Sequence, residues 1–319
     1  MESSGFSKWL FAVVVTASSC SAFASSELAD SIELLNDIER TSDSYEEMVS
    51  ALNTQFERIQ VEAGQSPIQE VSDHDLSAYF AAANRISFYS KGESTAKQMR
   101  QIFDELQRRQ LATPAMRQQM LDGYSGARML DDARYFAADP ANEGLKQLPT
   151  FRDQSSPTQS PTLWRVQDAG KALVRHDIDL TERPILLVLG PPGCGFSRQA
   201  AEDISKDGDL FELMARHSIW LMPQSSIPDI SELNAWSTSQ PGWSKELIHL
   251  DSEWPFIDTA MPPGFYFLKD GKVISLVQGW PGPEQLAELR EGFKKIGIQS
   301  ASANNSRVDE VLTKESIHP

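Results

Sequence analysis

Five aliphatic residues in succession, Ile185 to Leu189, run straight into Gly190-Pro191-Pro192-Gly193-Cys194. A run that is apolar at every position is the pattern of a strand covered on both faces, in the middle of a sheet with other layers packed against it. The glycines and prolines that follow stop strand and helix alike. The fold must therefore hold a central strand that ends abruptly in a cysteine turn. SRQAAEDISKDGDLFELMARH then predicts helix, with Phe211, Leu213 and Met214 closing its end or forming a second short helix, and SIWLMPQS predicts another strand. Ser231 to Trp236 predicts a helical insert and KELIHL an edge strand. GFYFLKDGKVISLVQGW predicts a hairpin turning on Asp270-Gly271. PEQLAELREGFKKIG closes as a helix with proline at its start and Gly297 at its end. Upstream, LWRVQDAGKALVRHDIDL predicts two short strands around Asp168-Ala169-Gly170.

Residues 27–138 carry helical periodicity instead. Tyr45, Met48, Leu52, Phe56 and Ile59 recur at spacings of three and four, which lines them on one helix face. That stripe suits an internal core; the alternative is a contact between copies, an oligomer through the N-terminal helices. Thr113-Pro114 marks a helix start, a capping residue followed by proline where no N–H is needed. Residues 139–162, rich in Pro, Ser and Gln, have the composition of a linker. The expected layout is a leader at 1–24, a helical domain at 27–138, the linker, a second domain at 163–298 and a polar tail at 299–319, where Asn304-Asn305-Ser306 is a chance match to a glycosylation sequon.

The leader reads as a secretory signal: Lys8, the apolar core WLFAVVVTA, then Ala22-x-Ala24 for cleavage. Its core is shorter than the roughly 20 residues of a membrane-spanning helix, and no span is predicted later. The expected location is periplasmic or secreted; lipidation at Cys20 is the alternative, but Ala17 stands where a lipoprotein signal keeps a large aliphatic residue. Cys194 is then alone in an oxidising compartment, so no internal disulfide is available. Such a thiol is either buried and inert or exposed and used. A formal net charge of -16 argues against nucleic acid or an anionic membrane surface as the partner.

The order strand pair, strand, cysteine turn, helix, strand, hairpin, helix resembles the thioredoxin family. ILLVLGPPGCGFS resembles that family's strand and active-site segment, and MPPGFYFLKDGKVI resembles the segment holding its cis-proline. The resemblance covers residues 163–298 and implies an α+β two-domain chain: an all-α helical N-terminal domain followed by a thioredoxin-like α/β domain. It implies that Cys194 is the nucleophile and Pro263 the cis-proline, with Gly193, Gly195, Phe196 and Pro262 bordering a substrate groove. Backbone beside the proline would pair with an extended partner segment as an added strand. A helix N-terminus favours a thiolate on physical grounds as well.

The chain departs from the family at three places. Ser197 stands where a resolving cysteine is expected, Val188 where a buried acid is common, and Gly193 where tryptophan is usual. The implied function is therefore monothiol exchange with a partner protein's thiol or disulfide, Ser197 supporting the thiolate and glutathione or another external thiol closing the cycle. Cys-Gly-Phe-Ser also resembles the signature of monothiol glutaredoxins, which hold an iron–sulfur cluster with glutathione. A cluster needs four thiolate-type ligands and this chain offers one, so no cofactor is expected.

MLDGYSGARMLDDARYFA resembles tetratricopeptide helix pairs over at most two units. That implies a rival function, a non-catalytic adaptor whose helical domain grips a partner while the second domain is scaffold. Other polar residues point to no chemistry. His176 and Asp177 would face opposite sides of a strand, His74 lies between Asp73 and Asp75 at a helix start, and His217 and His249 are isolated. Trp220, Trp236, Trp243, Trp254 and Trp280 read as core, with Trp254 and Trp280 as the candidates for a groove rim. The sequence has no nucleophile elbow, phosphate-binding loop or zinc-protease helix motif.

Overall fold

The computed structural model describes residues 20–64, 67–156 and 161–299. Most of the expected leader and the tail beyond Gln299, with its sequon, lie outside the described residues.

Six helices build the N-terminal half of the described chain: α1 (Cys20–Thr41), α2 (Tyr45–Ala63), α3 (Asp73–Ser90), α4 (Glu93–Arg108), α5 (Pro114–Gly126) and α6 (Leu130–Ala138). Their starts follow capping chemistry. The Ser44, Ser72 and Thr113 hydroxyls accept from the N–H groups of Glu47, Asp75 and Met116, which satisfies donors that have no partner inside the helix. On α2 the expected stripe turns inward: Leu52, Phe56 and Ile59 join Phe80, Ile86, Met99 and Phe103 in one apolar core, while Tyr45 is exposed.

The C-terminal half is a mixed sheet flanked by helices. Its elements are β1 (Thr150–Asp153), β2 (Thr162–Gln167), β3 (Ala172–Asp177), β4 (Ile185–Leu189), α7 (Gly195–Ser205), α8 (Gly208–His217), β5 (Ser218–Met222), α9 (Ile230–Thr238), β6 (Ser244–Ile248), β7 (Gly264–Lys269), β8 (Lys272–Gln278) and α10 (Leu286–Lys295). Across the sheet the order is β1-β3-β2-β6-β5-β4-β7-β8. The aliphatic run is β4, buried throughout, parallel to β5 and antiparallel to β7. Leu186 and Val188 face the core under α7, α8 and α10, and Ile185, Leu187 and Leu189 face the opposite core with Trp254 and Tyr266. The hairpin β7–β8 turns where expected, with Asp270 and Gly271 at φ 50° and 72°.

Two expectations change, and two that held alternatives are decided. KELIHL is not an edge strand: β6 lies inside the sheet between β2 and β5. The described part of residues 139–162, expected as a linker, holds a short helical turn at Pro140–Asn142 and β1, which pairs in parallel with β3. Of the two readings for Phe211, Leu213 and Met214, the second short helix holds: they lie in α8, started by the Asp207 carboxylate accepting from Leu210 N–H. Trp254 and Trp280, 1% and 3% exposed, are core and rim no groove.

The two halves meet at a polar seam. Arg128, at the left-handed residue between α5 and α6, donates to the carbonyls of Ser125, Ser225, Ile248 and His249 at 2.8–2.9 Å. Removal from water pushes its guanidinium down to about 10, with Asp251 opposing, so it stays charged at neutral pH. Gln224 Nε2 donates to Gly126 O at 2.9 Å, and Lys91 pairs with Asp251 at 2.7 Å.

Candidate functional site

Strand β4 delivers the chain to Gly190, whose N–H donates to Leu221 O at 2.9 Å. A side chain cannot fit there, because a Cβ would lie 2.7 Å from the Trp220 ring. The turn closes with Cys194 N–H on Pro191 O at 3.1 Å, and Cys194 becomes the residue that opens α7. Its sulfur is half-buried and sits beside the loop before β7, where the thiol donates to Pro262 O across 3.8 Å. The Pro262–Pro263 peptide bond is cis. The structure thus brings together Cys194, Ser197, Pro262 and the Pro263 segment, more than 60 residues apart in sequence.

Ser197 is 2% exposed, and its Oγ is buried without a hydrogen-bond partner. Burial pushes the Cys194 thiol up. The Ser197 hydroxyl, the backbone N–H groups of Ser197 and Phe196, and the charge of Arg198 outweigh it and hold the thiol below its ordinary value. Arg198 was not singled out from sequence. One turn into α7, it reaches back to the loop, donating from Nη1 to Pro192 O at 3.1 Å and to Gly193 O at 3.3 Å. Its position four residues after the cysteine is the signal that could have found it.

Around the sulfur the surface is open. Gly193 and Gly195 are exposed, a Cβ at Gly193 would meet nothing within 4 Å, and Phe196 and Met261 are 64% and 58% exposed. Val188 is fully buried in the core under α7. Beside the loop a cleft of about 860 Å³ is lined by Pro191, Gly193, Ser197, Trp220, Trp236 and Lys245. Lys245 is buried among the Trp236 and Ser239 carbonyls and the Ser239 hydroxyl, and burial pushes its ammonium down to about 8.

The histidines lie elsewhere. His176 Nε2 meets the fully buried Glu246 carboxylate at 2.6 Å, a partner that sequence proximity did not suggest. His249 Nδ1 accepts from Trp164 Nε1, and burial pushes its imidazole down to about 3. Among the described residues no three His, Cys, Asp or Glu side chains gather as a metal site would require, and no helix is long and apolar enough to cross a membrane.

No family model matches this chain, and no curated protein matches it. Among solved structures, a thioredoxin-like protein from Bacteroides caccae is similar at 12% identity, covering 90% of this chain and 98% of that chain, with a TM-score of 0.27. So loose an overlap carries no argument about this chain's chemistry.

Proposed function

We propose that this chain is an exported protein that carries out monothiol thiol–disulfide exchange on partner proteins through Cys194, on a thioredoxin-like sheet. One observation carries the reading: an accessible thiol opens α7 beside a buried Ser197 hydroxyl that has no other hydrogen-bond partner and helps hold that thiol below its ordinary value. The sheet order around β4, the hairpin β7–β8 and the Pro262 segment beside the sulfur support it. The Cys194 thiolate attacks one sulfur of a partner disulfide. A bond forms between Cys194 and that sulfur, the partner's S–S bond breaks, and the second partner sulfur leaves with the electron pair and takes a proton from water. The chain has no second cysteine in this half, so an external thiol frees Cys194: its thiolate attacks the partner sulfur of the mixed disulfide, and Cys194 departs as thiolate. A thiol held below its ordinary value is the better leaving group.

The test is to incubate the purified chain with a disulfide-bonded protein and follow mixed-disulfide formation by mass. The wild type should form the adduct and Cys194→Ser should not. Equal function of the two in the cell would sink the reading and turn attention to the helical half as an adaptor.

A further inference from the structure

The backbone polar groups beside the sulfur can be accounted for one by one. Neither Pro262 nor Pro263 has an N–H. Met261 O accepts from Gln278 Nε2, and Pro263 O accepts from Gly279 N at 2.7 Å and from Gln278 Nε2 at 3.4 Å. That leaves the carbonyl of Pro262, whose donor is the Cys194 thiol at 3.8 Å. This donor exists only while the sulfur is protonated. A thiolate or a disulfide sulfur has no hydrogen to give, so reaction at Cys194 leaves Pro262 O without a partner in the chain.

We propose that Pro262 sets the partner specificity of this site: its carbonyl, released when Cys194 reacts, takes one backbone N–H of the bound partner segment, and its missing N–H forbids the second bond that would pair the segment as a strand. The inference rests on Cys194 acting as the nucleophile. It departs from the strand addition that the thioredoxin resemblance implies, because strand pairing through one residue needs both a donor and an acceptor on it. The two neighbours of the sulfur respond in opposite ways to one event. Deprotonation turns the sulfur from a weak into a strong acceptor for the unpartnered Ser197 hydroxyl and takes a donor from Pro262 O. The partner then supplies what Pro262 has lost. With Phe196 and Met261 exposed beside the site, the fitting partner is an irregular polypeptide segment that brings an amide N–H and apolar side chains up to its disulfide sulfur.

The experiment uses the full chain and a short Leu-Cys-Leu peptide whose cysteine is linked to thionitrobenzoate, release of which is followed by absorbance. Three further peptides carry a single N-methyl group on the residue before the cysteine, on the cysteine, or on the residue after it. Iodoacetamide alkylation of Cys194 is measured in parallel. One of the three methylated peptides should react about five- to tenfold more slowly than the parent, the effect of one lost hydrogen bond, and the others within about twofold of it. Pro262→Ala, which restores an N–H, should raise the ratio of peptide rate to alkylation rate by about threefold or more. If Cys194 alkylates readily while the methylation series is flat, or if Pro262→Ala does not raise that ratio, the specificity inference is overturned and the nucleophile reading stands. Alkylation no faster than that of a free cysteine peptide overturns both.

Discussion

Replacing Ser197 by alanine should move reactivity and stability in opposite directions. The Ser197 Oγ is buried without a hydrogen-bond partner, and a buried hydroxyl left unsatisfied costs about 1–3 kcal/mol. Ser197→Ala deletes that liability and should stabilise the protonated protein by about 1 kcal/mol, less any loss of packing. The thiolate loses more. A hydrogen bond to a charged acceptor is worth about 1.5–3 kcal/mol, and with the sulfur only half-buried the lower end applies. About 1.4 kcal/mol is a factor of ten in thiolate fraction, and the more basic thiolate regains about threefold in nucleophilicity, so alkylation at a pH well below the thiol's titration should slow about three- to fourfold. The sign against pH follows from linkage. The folded thiol lies below its unfolded value near 8.5, so the wild type gains stability that is fully present above that value and is lost as pH falls through the folded one. The variant lacks most of that gain. Urea unfolding should therefore find Ser197→Ala more stable than wild type at about pH 6, with the advantage shrinking or reversing above pH 9. An unchanged alkylation rate, or a variant less stable at the acid end, would refute the reasoning.

Two more perturbations test the scaffold. Arg128→Met should destabilise the chain by about 3–5 kcal/mol in urea, because it strands the carbonyls of Ser225, Ile248 and His249; a loss under about 1 kcal/mol would mean that water replaces the guanidinium. Stability should also fall at both ends of the pH range through one pair. His176 is raised by its bond to Glu246, so that contribution is fully present below its unfolded value near 6.5 and lost as pH climbs through the folded one. Burial pushes Glu246 up, but His176 and Arg165 outweigh it and hold it low, so its contribution is present above about 4.3 and lost as pH falls through the folded value. Thermal melts of His176→Gln should lose the alkaline dependence, and a wild-type slope retained in that variant would assign it elsewhere.

Much of the fold was legible because the signals are local. A continuous aliphatic run, an Asp-Gly turn, Thr-Pro at a helix start and a glycine at the end of α10 each act within a few residues, and each sits where its chemistry puts it. KELIHL misled for the same reason. Its apolar residues record burial, but whether a strand has one neighbour or two depends on β2 and β5, which lie far away in the chain. At the site the cysteine and both prolines were legible from their segments. The orphaned state of Ser197 and the grip of Arg198 on Pro192 and Gly193 were not, since they follow from how α7 packs under the turn. The Glu246–His176 contact was hidden in the same way, its partners being 70 residues apart.

Arg128 belongs to the helices by its place in the chain and to the sheet by its bonds. The cut that composition suggests, near residue 139, and the cut that would leave every group on both sides satisfied are therefore different places. Carrying the helices into another protein would put a guanidinium back into water and open three carbonyls on the sheet left behind. Those acceptors come from the loop after β5 and from the end of β6, so no short contiguous graft supplies them. A chain that received either half alone would have to supply the missing side of this contact, the arginine or its three carbonyls, to keep the seam satisfied.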